Sequence, residues 1–359
     1  MARLDPDVFR LPVERMRDGY YSDQYFNLTR ALLLEADRHP RVLMQAFQKR
    51  DSLLGGIDEA IAILRRCAGL RRDDGGWEDG WEQLTVRALN EGDRIAPGET
   101  VLTIEGDYGL FAHLETLYLG CMARRTLVMR NVAAVVHAAR GKQILFFPAR
   151  HDHWLVQTGD GWAAHVAGAI GVSTDAQASW WGGRGVGTVP HGLIAAFGGD
   201  TVAAARAFAD RFAAESNVTV LVDFDNDSIG TALAVAEELG DELWGVRLDT
   251  SEALVDRALQ DLPDPEEHRG VTPLLARRVR EALDAAGFGH VRIVVSGGFD
   301  AAKIERFEAV DAPVDAYGVG SSLLRGDNDF TADVVRVDGR AVAKVGRSER
   351  PNPRLELVT

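Results

Sequence analysis

The sequence predicts an α/β protein: an irregular (β/α) barrel plus an N-terminal α+β subdomain completed by C-terminal strands. Three observations predict it. Between residues 107 and 325, short continuous apolar runs alternate with amphipathic helical segments, the pattern of a parallel sheet covered on its outer face. Residues 82–106, "QLTVRALNEGDRIAPGETVLTIEGD", instead alternate apolar and polar residues about a tight turn at Pro97-Gly98, the mark of a small antiparallel unit. Near the C-terminus, "FTADVVRVDGRAVAKVGR" reads as a hairpin turning at Asp338-Gly339, the expected partner of that unit. The expected division is residues 1–112 for the subdomain, 113–326 for the barrel and 327–359 for the returning strands.

The elements follow in order. Residues 24–70 read mostly as helix, with apolar residues at three- and four-residue spacing and an interruption at Gly55-Gly56. In the barrel, helix 111–141 leads to "QILFF" (143–147), and helix 161–168 leads to "AIGVS" (169–173) and, after a turn, "GVGT" (185–188). Helix 199–215 precedes "VTVLVDF" (218–224), and helix 228–239 precedes "LWGVRLD" (243–249). Helix 271–287 precedes "VRIVVSGG" (291–298), and helix 300–309 precedes "VDAYGVGSS" (314–322). Barrels of this kind place their active sites at the carboxyl ends of the strands. Asp223 and Asp225, Arg247 and Asp249, Ser296-Gly297-Gly298 and Gly318 to Ser322 all sit at such ends.

Composition narrows the chemistry. The 359 residues are 46% hydrophobic and 26% charged, as in soluble globular proteins. A formal net charge of -14 without a basic stripe argues against a nucleic-acid surface, so an anionic substrate must be gathered by a few local arginines. Cys67 and Cys121 are expected to be buried thiols of a cytoplasmic protein, too few for a cysteine-rich zinc site. The opening "MARLDPDVFR" and the lack of any apolar run near ~18 residues predict neither signal peptide nor membrane span.

"SGGFD" (296–300) and "GVGSS" (318–322) open onto helices and can cradle phosphate with backbone N–H groups; turns that merely end strands are the plainer alternative. Asp227 reads as a helix N-cap, and Asp223 as a ligand for ribose hydroxyls or Mg²⁺. Arg247 can hold a phosphate or carboxylate, or pair internally with Asp249 or Asp223. His191, three residues after Thr188, can be a general base, a metal ligand, a phosphoryl acceptor or a half-buried structural histidine. In "FFPARHDHW" (146–154), His151 and His153 lack a third metal ligand and read as polar loop residues around a substrate-facing Arg150. No metal ligand set is assigned.

These segments together resemble nicotinate phosphoribosyltransferase. "YSDQYFNLT" (21–29) is similar to that family's Thr-Asp-x-Tyr-x-Leu-Thr element, and "LETLYLG" (114–120) to its Glu-Thr-x-x-Leu helix. "GDRIAPGETVLTIEG" resembles its β-subdomain, and "GTVPHGLIAAFGGD" its Gly-Thr-x-x-His segment, whose histidine is phosphorylated by ATP. "LVDFD", "GVRLDT", "IVVSGGFD" and "YGVGSSL" follow in the family's order. The resemblance implies that nicotinate and phosphoribosyl pyrophosphate become nicotinate mononucleotide and pyrophosphate, with ATP as co-substrate and Mg²⁺ accompanying the phosphates. It implies His191 as phosphoryl acceptor, Asp223 facing the ribose, and Arg247 with Asp249 serving an anionic group and the ribose side. Arg150 would face the nicotinate carboxylate, and Gly297, Gly298, Gly318 and Gly320 the 5′-phosphate, with Ser296 and Ser321 as further substrate-binding residues. Asp23 and Tyr25 would reach a neighbouring subunit's site in a dimer or higher assembly, Tyr25 and Phe147 sandwiching the pyridine ring.

Two departures stand out. Ser173 lies where nicotinamide-using relatives carry an aspartate, which favours nicotinate, although Asp175 is two residues away. Pro148 replaces the family's glycine in Phe-Gly-x-Arg. Nicotinamide or quinolinate phosphoribosyl transfer on the same fold is the nearest alternative. Arg124, Arg125, Arg130, Arg140 and Lys142 are the cations a doubly charged acid would need. A sugar-phosphate barrel lyase is more distant, because no strand end carries a lysine.

Overall fold

The computed structural model describes residues 2–358 and divides them into two compact units, one of residues up to 130 together with 326 onward, the other of residues 131–325. The sequence reading puts the first boundary at 112, whereas the division falls inside the long helix Glu115–Ala138. The physical reason lies in its first turns: Leu117, Tyr118 and Met122 are buried in the core of the first unit.

The first unit is built on a six-stranded antiparallel sheet. Its order is Arg340–Ala341, Thr331–Val337, Arg41–Phe47, Thr100–Asp107, Thr85–Ala88 and Glu356–Leu357. The C-terminal strands thus complete the N-terminal sheet, and Asp338 and Gly339, at φ 50° and 77°, make the hairpin turn. One expectation fails here. "RVLMQAF" is not helix but the strand Arg41–Phe47, buried along six of its seven residues between two neighbours. A short run that is apolar on both faces has no periodicity to separate strand from helix. The Pro97-Gly98 turn also joins strands that do not pair with each other, since Arg94–Ile95 pairs with Ser52–Leu53. Helix Ile57–Cys67 packs its apolar face into the same core.

The second unit carries the expected irregular α/β barrel as an open half-barrel sheet. Six parallel strands run in the order Val218–Leu221, Leu243–Leu248, Arg292–Val295, Ala316–Val319, Gln143–Phe146 and Gly171–Val172. The predicted strand at 185–188 is an irregular segment instead. Val186 N–H donates to Val172 O at 2.7 Å and Val189 N–H to Thr219 O at 2.8 Å, so the segment bridges the two sheet edges. Four crossover helices begin at side-chain caps: Asp200, Asp227, Thr272 and Asp300 each accept an N–H from the first turn. Among the described residues, no helix is long and apolar enough to cross a membrane.

Candidate active site

Strand register assembles the site. Leu221 pairs with Arg247, Leu248 with Val295, Val295 with Tyr317, Val319 with Phe146, and Phe146 with Val172. The residues just beyond these pairs are Asp223, Asp249, Ser296, Gly320, Phe147 and Ser173, which therefore emerge side by side at the carboxyl rim. There a cavity of about 600 Å³ is lined by Phe147, Arg150, Ser173, His191, Arg247 and Asp249, and by Ser296 to Gly298, Gly318, Gly320 and Ser321. Of the site residues read from the barrel sequence, only Asp223 is not in that lining. It borders a smaller adjoining cavity of about 270 Å³ that His191 and Asp249 share.

Arg247 is the hub. Its Nε donates to Ser296 Oγ at 2.7 Å, Nη1 reaches Thr188 Oγ1 at 3.4 Å, and Nη2 lies 3.5 Å from Asp249 Oδ2. Ser296 in turn donates to Asp249 Oδ1 at 2.6 Å, so one hydroxyl links guanidinium and carboxylate. The internal ion pair and the cavity-facing role are both realised, for the two side chains stay 18% and 23% exposed. Burial lowers the Arg247 pKa, opposed by Asp249 and Asp223, and Arg150 lowers it further. The guanidinium stands over the Phe147 ring, 5.1 Å from its centroid.

His191 begins a helix of only six residues, His191–Ala196, with no side-chain cap. A helix this short offers His191 little dipole, and the dominant partner is Asp223, whose Oδ1 lies 3.0 Å from His191 Nε2. Desolvation raises the Asp223 pKa, and the His191 contact pulls it back. An ionised Asp223 can only accept, so it holds the proton on Nε2 and leaves Nδ1 with its lone pair.

The glycines divide into two kinds. Gly297 and Gly298, at φ +91° and +65°, need the left-handed backbone that glycine permits. Gly318 is different: a Cβ there would lie 2.7 Å from the Phe147 ring, so its bare backbone makes room for the aromatic. Lys303 Nζ donates to Gly297 O at 2.8 Å and braces that turn from below. Pro148 fits without strain at φ -87° and ψ 9°, opening the 3₁₀ turn Ala149–His151 where the family pattern has glycine. Ser173 is held by Gln177, whose Oε1 accepts its N–H and hydroxyl at 3.0 and 3.1 Å. Asp175 accepts the Gly185 N–H at 2.9 Å and does not line the cavity.

Sequence reasoning missed Thr188, His151 and Arg325 as cavity residues. Arg325 had the clearest signal, since it closes the short turn that follows "GVGSS". Among the described residues, no group of three or more His, Cys, Asp or Glu side chains is placed to hold a metal ion.

Asp23 and Tyr25 belong to the first unit. Asp23 exchanges hydrogen bonds with Thr116, its N–H donating to Oγ1 at 3.0 Å and its Oδ2 accepting from that hydroxyl at 2.8 Å. Beside them, burial and then the carboxylates of Asp333 and Asp23 push Glu115 up to about 7 from 4.5. The folded state therefore binds the extra proton between those values, and stability from this group is lost as pH rises through that window. Urea midpoints at about pH 5 and about pH 8 are expected to differ in that sense, and Glu115→Gln to reduce the difference.

Residues 23–126 match the family model for the quinolinate phosphoribosyl transferase N-terminal domain. The chain is 34% identical over 279 residues to nicotinate phosphoribosyltransferase pncB1 of Mycobacterium tuberculosis, a match covering 75% of this chain and 57% of that protein. It thus spans little more than half the length of the curated relatives it matches. The crystal structure of nicotinate-nucleotide pyrophosphorylase from Pyrococcus furiosus superposes with a TM-score of 0.80 at 31% identity, over 97% of this chain and 85% of that one. Human nicotinic acid phosphoribosyltransferase, at 18% identity and a TM-score of 0.64 over 89% of this chain and 75% of that one, shares the fold. The chain belongs to the type II phosphoribosyltransferase family, and is similar within it to nicotinate phosphoribosyltransferases.

Proposed function

We propose that the protein is an ATP-dependent nicotinate phosphoribosyltransferase, forming nicotinate mononucleotide and pyrophosphate in NAD salvage. The observation that carries this reading is the His191–Asp223 pair, 3.0 Å apart, with His191 in the lining of the cavity that holds Arg150, Arg247 and the two glycine-bearing turns. Arg150 and Arg247 supply positive charge for the nicotinate carboxylate, and Phe147 a ring against which the pyridine lies. Gly297, Gly298, Gly320 and Ser321 receive the 5′-phosphate on backbone N–H groups. Asp223 and Asp249 stabilise the positive charge that develops at C1′ as pyrophosphate departs. His191 takes the γ-phosphoryl group of ATP on Nδ1, which couples hydrolysis to synthesis.

Asp223 and Asp249 are hard oxygen donors too few to cage a cation, which suits Mg²⁺ that arrives bound to phosphates. When bound, it neutralises phosphate charge. Two free thiols, Cys67 and Cys121, fit a reducing cytoplasm.

The test is mononucleotide formation from phosphoribosyl pyrophosphate with nicotinate, nicotinamide or quinolinate. Nicotinate is expected to dominate kcat/KM. Comparable turnover of nicotinamide contradicts the reading. The engagement of Asp175 with Gly185 supports discrimination against the amide, because no carboxylate of that segment faces the cavity. Quinolinate is disfavoured because four of its five expected cations are committed elsewhere: Arg125 pairs with Glu59, Arg130 and Arg140 bond backbone carbonyls, and Lys142 pairs with Glu308. Ser173→Asp is expected to lower kcat/KM for nicotinate by on the order of tenfold or more, since the new carboxylate would face Gln177 Oε1 as well as the substrate.

Shared sites in a dimer are part of the proposal. Tyr25, Leu28 and Leu32 lie on one face of helix Gln24–Glu35 and are 60%, 67% and 67% exposed, an apolar stripe suited to a second copy. Mixing inactive Tyr25→Ala and Asp249→Ala proteins is expected to restore activity as subunits exchange. Mixtures that exchange subunits yet stay inactive contradict the arrangement.

A further inference from the structure

The two histidines of "RHDHW" have separate fates. His153 caps the next turn, its Nδ1 accepting the Leu155 N–H at 3.2 Å while its ring stacks on Trp154. His151 turns the other way. Its N–H closes the 3₁₀ turn onto Pro148 O at 2.8 Å, which folds the loop back toward the neighbouring strand end. That neighbour is fixed by register, Phe146 pairing with Val319 and the Phe147 N–H donating to Val319 O at 2.8 Å.

His151 consequently lies against Gly320, so closely that a Cβ on Gly320 would sit 3.1 Å from its Cε1 and 3.7 Å from its Nδ1. Among the described residues, neither imidazole nitrogen has a hydrogen-bond partner within the protein, and the residue lines the main cavity. Arg325 comes to the same place from the end of the Ser321–Leu324 turn, its Nη2 lying 3.5 Å from Ser321 Oγ. A solvent-exposed imidazole with unused nitrogens, an exposed guanidinium and a glycine-serine turn converge on one wall of the cavity, an arrangement suited to a tetrahedral oxyanion.

We propose that His151 is a substrate-binding residue that donates a hydrogen bond to the 5′-phosphate of the phosphoribosyl substrate, beside the Gly320-Ser321 turn and Arg325. This rests on the phosphoribosyl-transfer reading above for the identity of the anion, while the subsite itself rests on the contacts just given. One phosphate oxygen accepts from the imidazole and others from the turn and Arg325, so His151 sets affinity for the phosphorylated sugar rather than for the pyridine acid.

The experiment measures affinity of the full-length protein for ribose 5-phosphate, inorganic pyrophosphate and nicotinate, alongside steady-state turnover, for wild type, His151→Ala and His151→Gln. His151→Ala is expected to weaken ribose 5-phosphate and raise KM for phosphoribosyl pyrophosphate by roughly tenfold, with nicotinate affinity and kcat changed about twofold or less. His151→Gln, which keeps a donor, is expected to recover most of the loss. Equal losses for all three ligands, or no loss for ribose 5-phosphate, overturn the proposal. A wild-type protein that binds ribose 5-phosphate through His151 but makes no mononucleotide would leave the subsite standing and remove the activity.

Discussion

His191→Ala is expected to abolish stimulation by ATP while leaving slow, ATP-independent synthesis of the mononucleotide. The remaining groups, Arg247, Asp249 and the two glycine-bearing turns, do not depend on the imidazole for their positions, since their contacts are made among themselves and with Ser296 and Lys303. The ratio of rates with and without ATP should fall to about one, a loss on the order of 10²-fold in the coupled rate. Asp223→Asn is the companion variant. It keeps the size of the side chain, but its amide can donate to Nε2 and so favour the tautomer that closes Nδ1. It is expected to lose most ATP stimulation despite an intact histidine. Steady-state rates at matched substrate concentrations decide both. Full stimulation in either variant would show that the pair is structural.

Arg247→Ala has the second large expected effect. It removes the donor to Ser296 Oγ and the cation beside Asp249, leaving a carboxylate in a largely buried place without its partner. It also uncovers the Phe147 ring. A loss of about 3–4 kcal/mol in transition-state stabilisation is expected, on the order of 10²–10³-fold in kcat/KM. Arg247→Lys keeps the charge without the planar fork and should recover only part of that loss. A double-mutant cycle with Asp249→Asn separates pairing from substrate contact, because paired residues give strongly non-additive losses.

Much of this was legible beforehand, for identifiable reasons. Parallel strands buried on both faces are continuous apolar runs, and Asp223, Arg247 and Asp249 break those runs where the strands end, so their shared rim could be read directly. Asp227 as a helix cap follows from local chemistry and holds, its Oδ1 accepting the Gly230 N–H at 3.0 Å. What was not legible depends on contacts between distant segments. Gly318 looked like part of a phosphate turn, yet it clears space for Phe147, which lies far away in sequence. Ser296 was read as a substrate-binding residue of a glycine-bearing turn, and its hydroxyl in addition joins Arg247 to Asp249. Strand Arg41–Phe47 was hidden because its neighbours come from residues 100–107 and 331–337, and no local period announces them.

The most direct test of the account is transfer of labelled γ-phosphate from ATP to the protein, followed by peptide mapping and a chase with substrates. The account predicts acid-labile, base-stable label on His191, discharged when nicotinate and phosphoribosyl pyrophosphate are added together. Absence of label, label on another residue, or label that persists through turnover would contradict it.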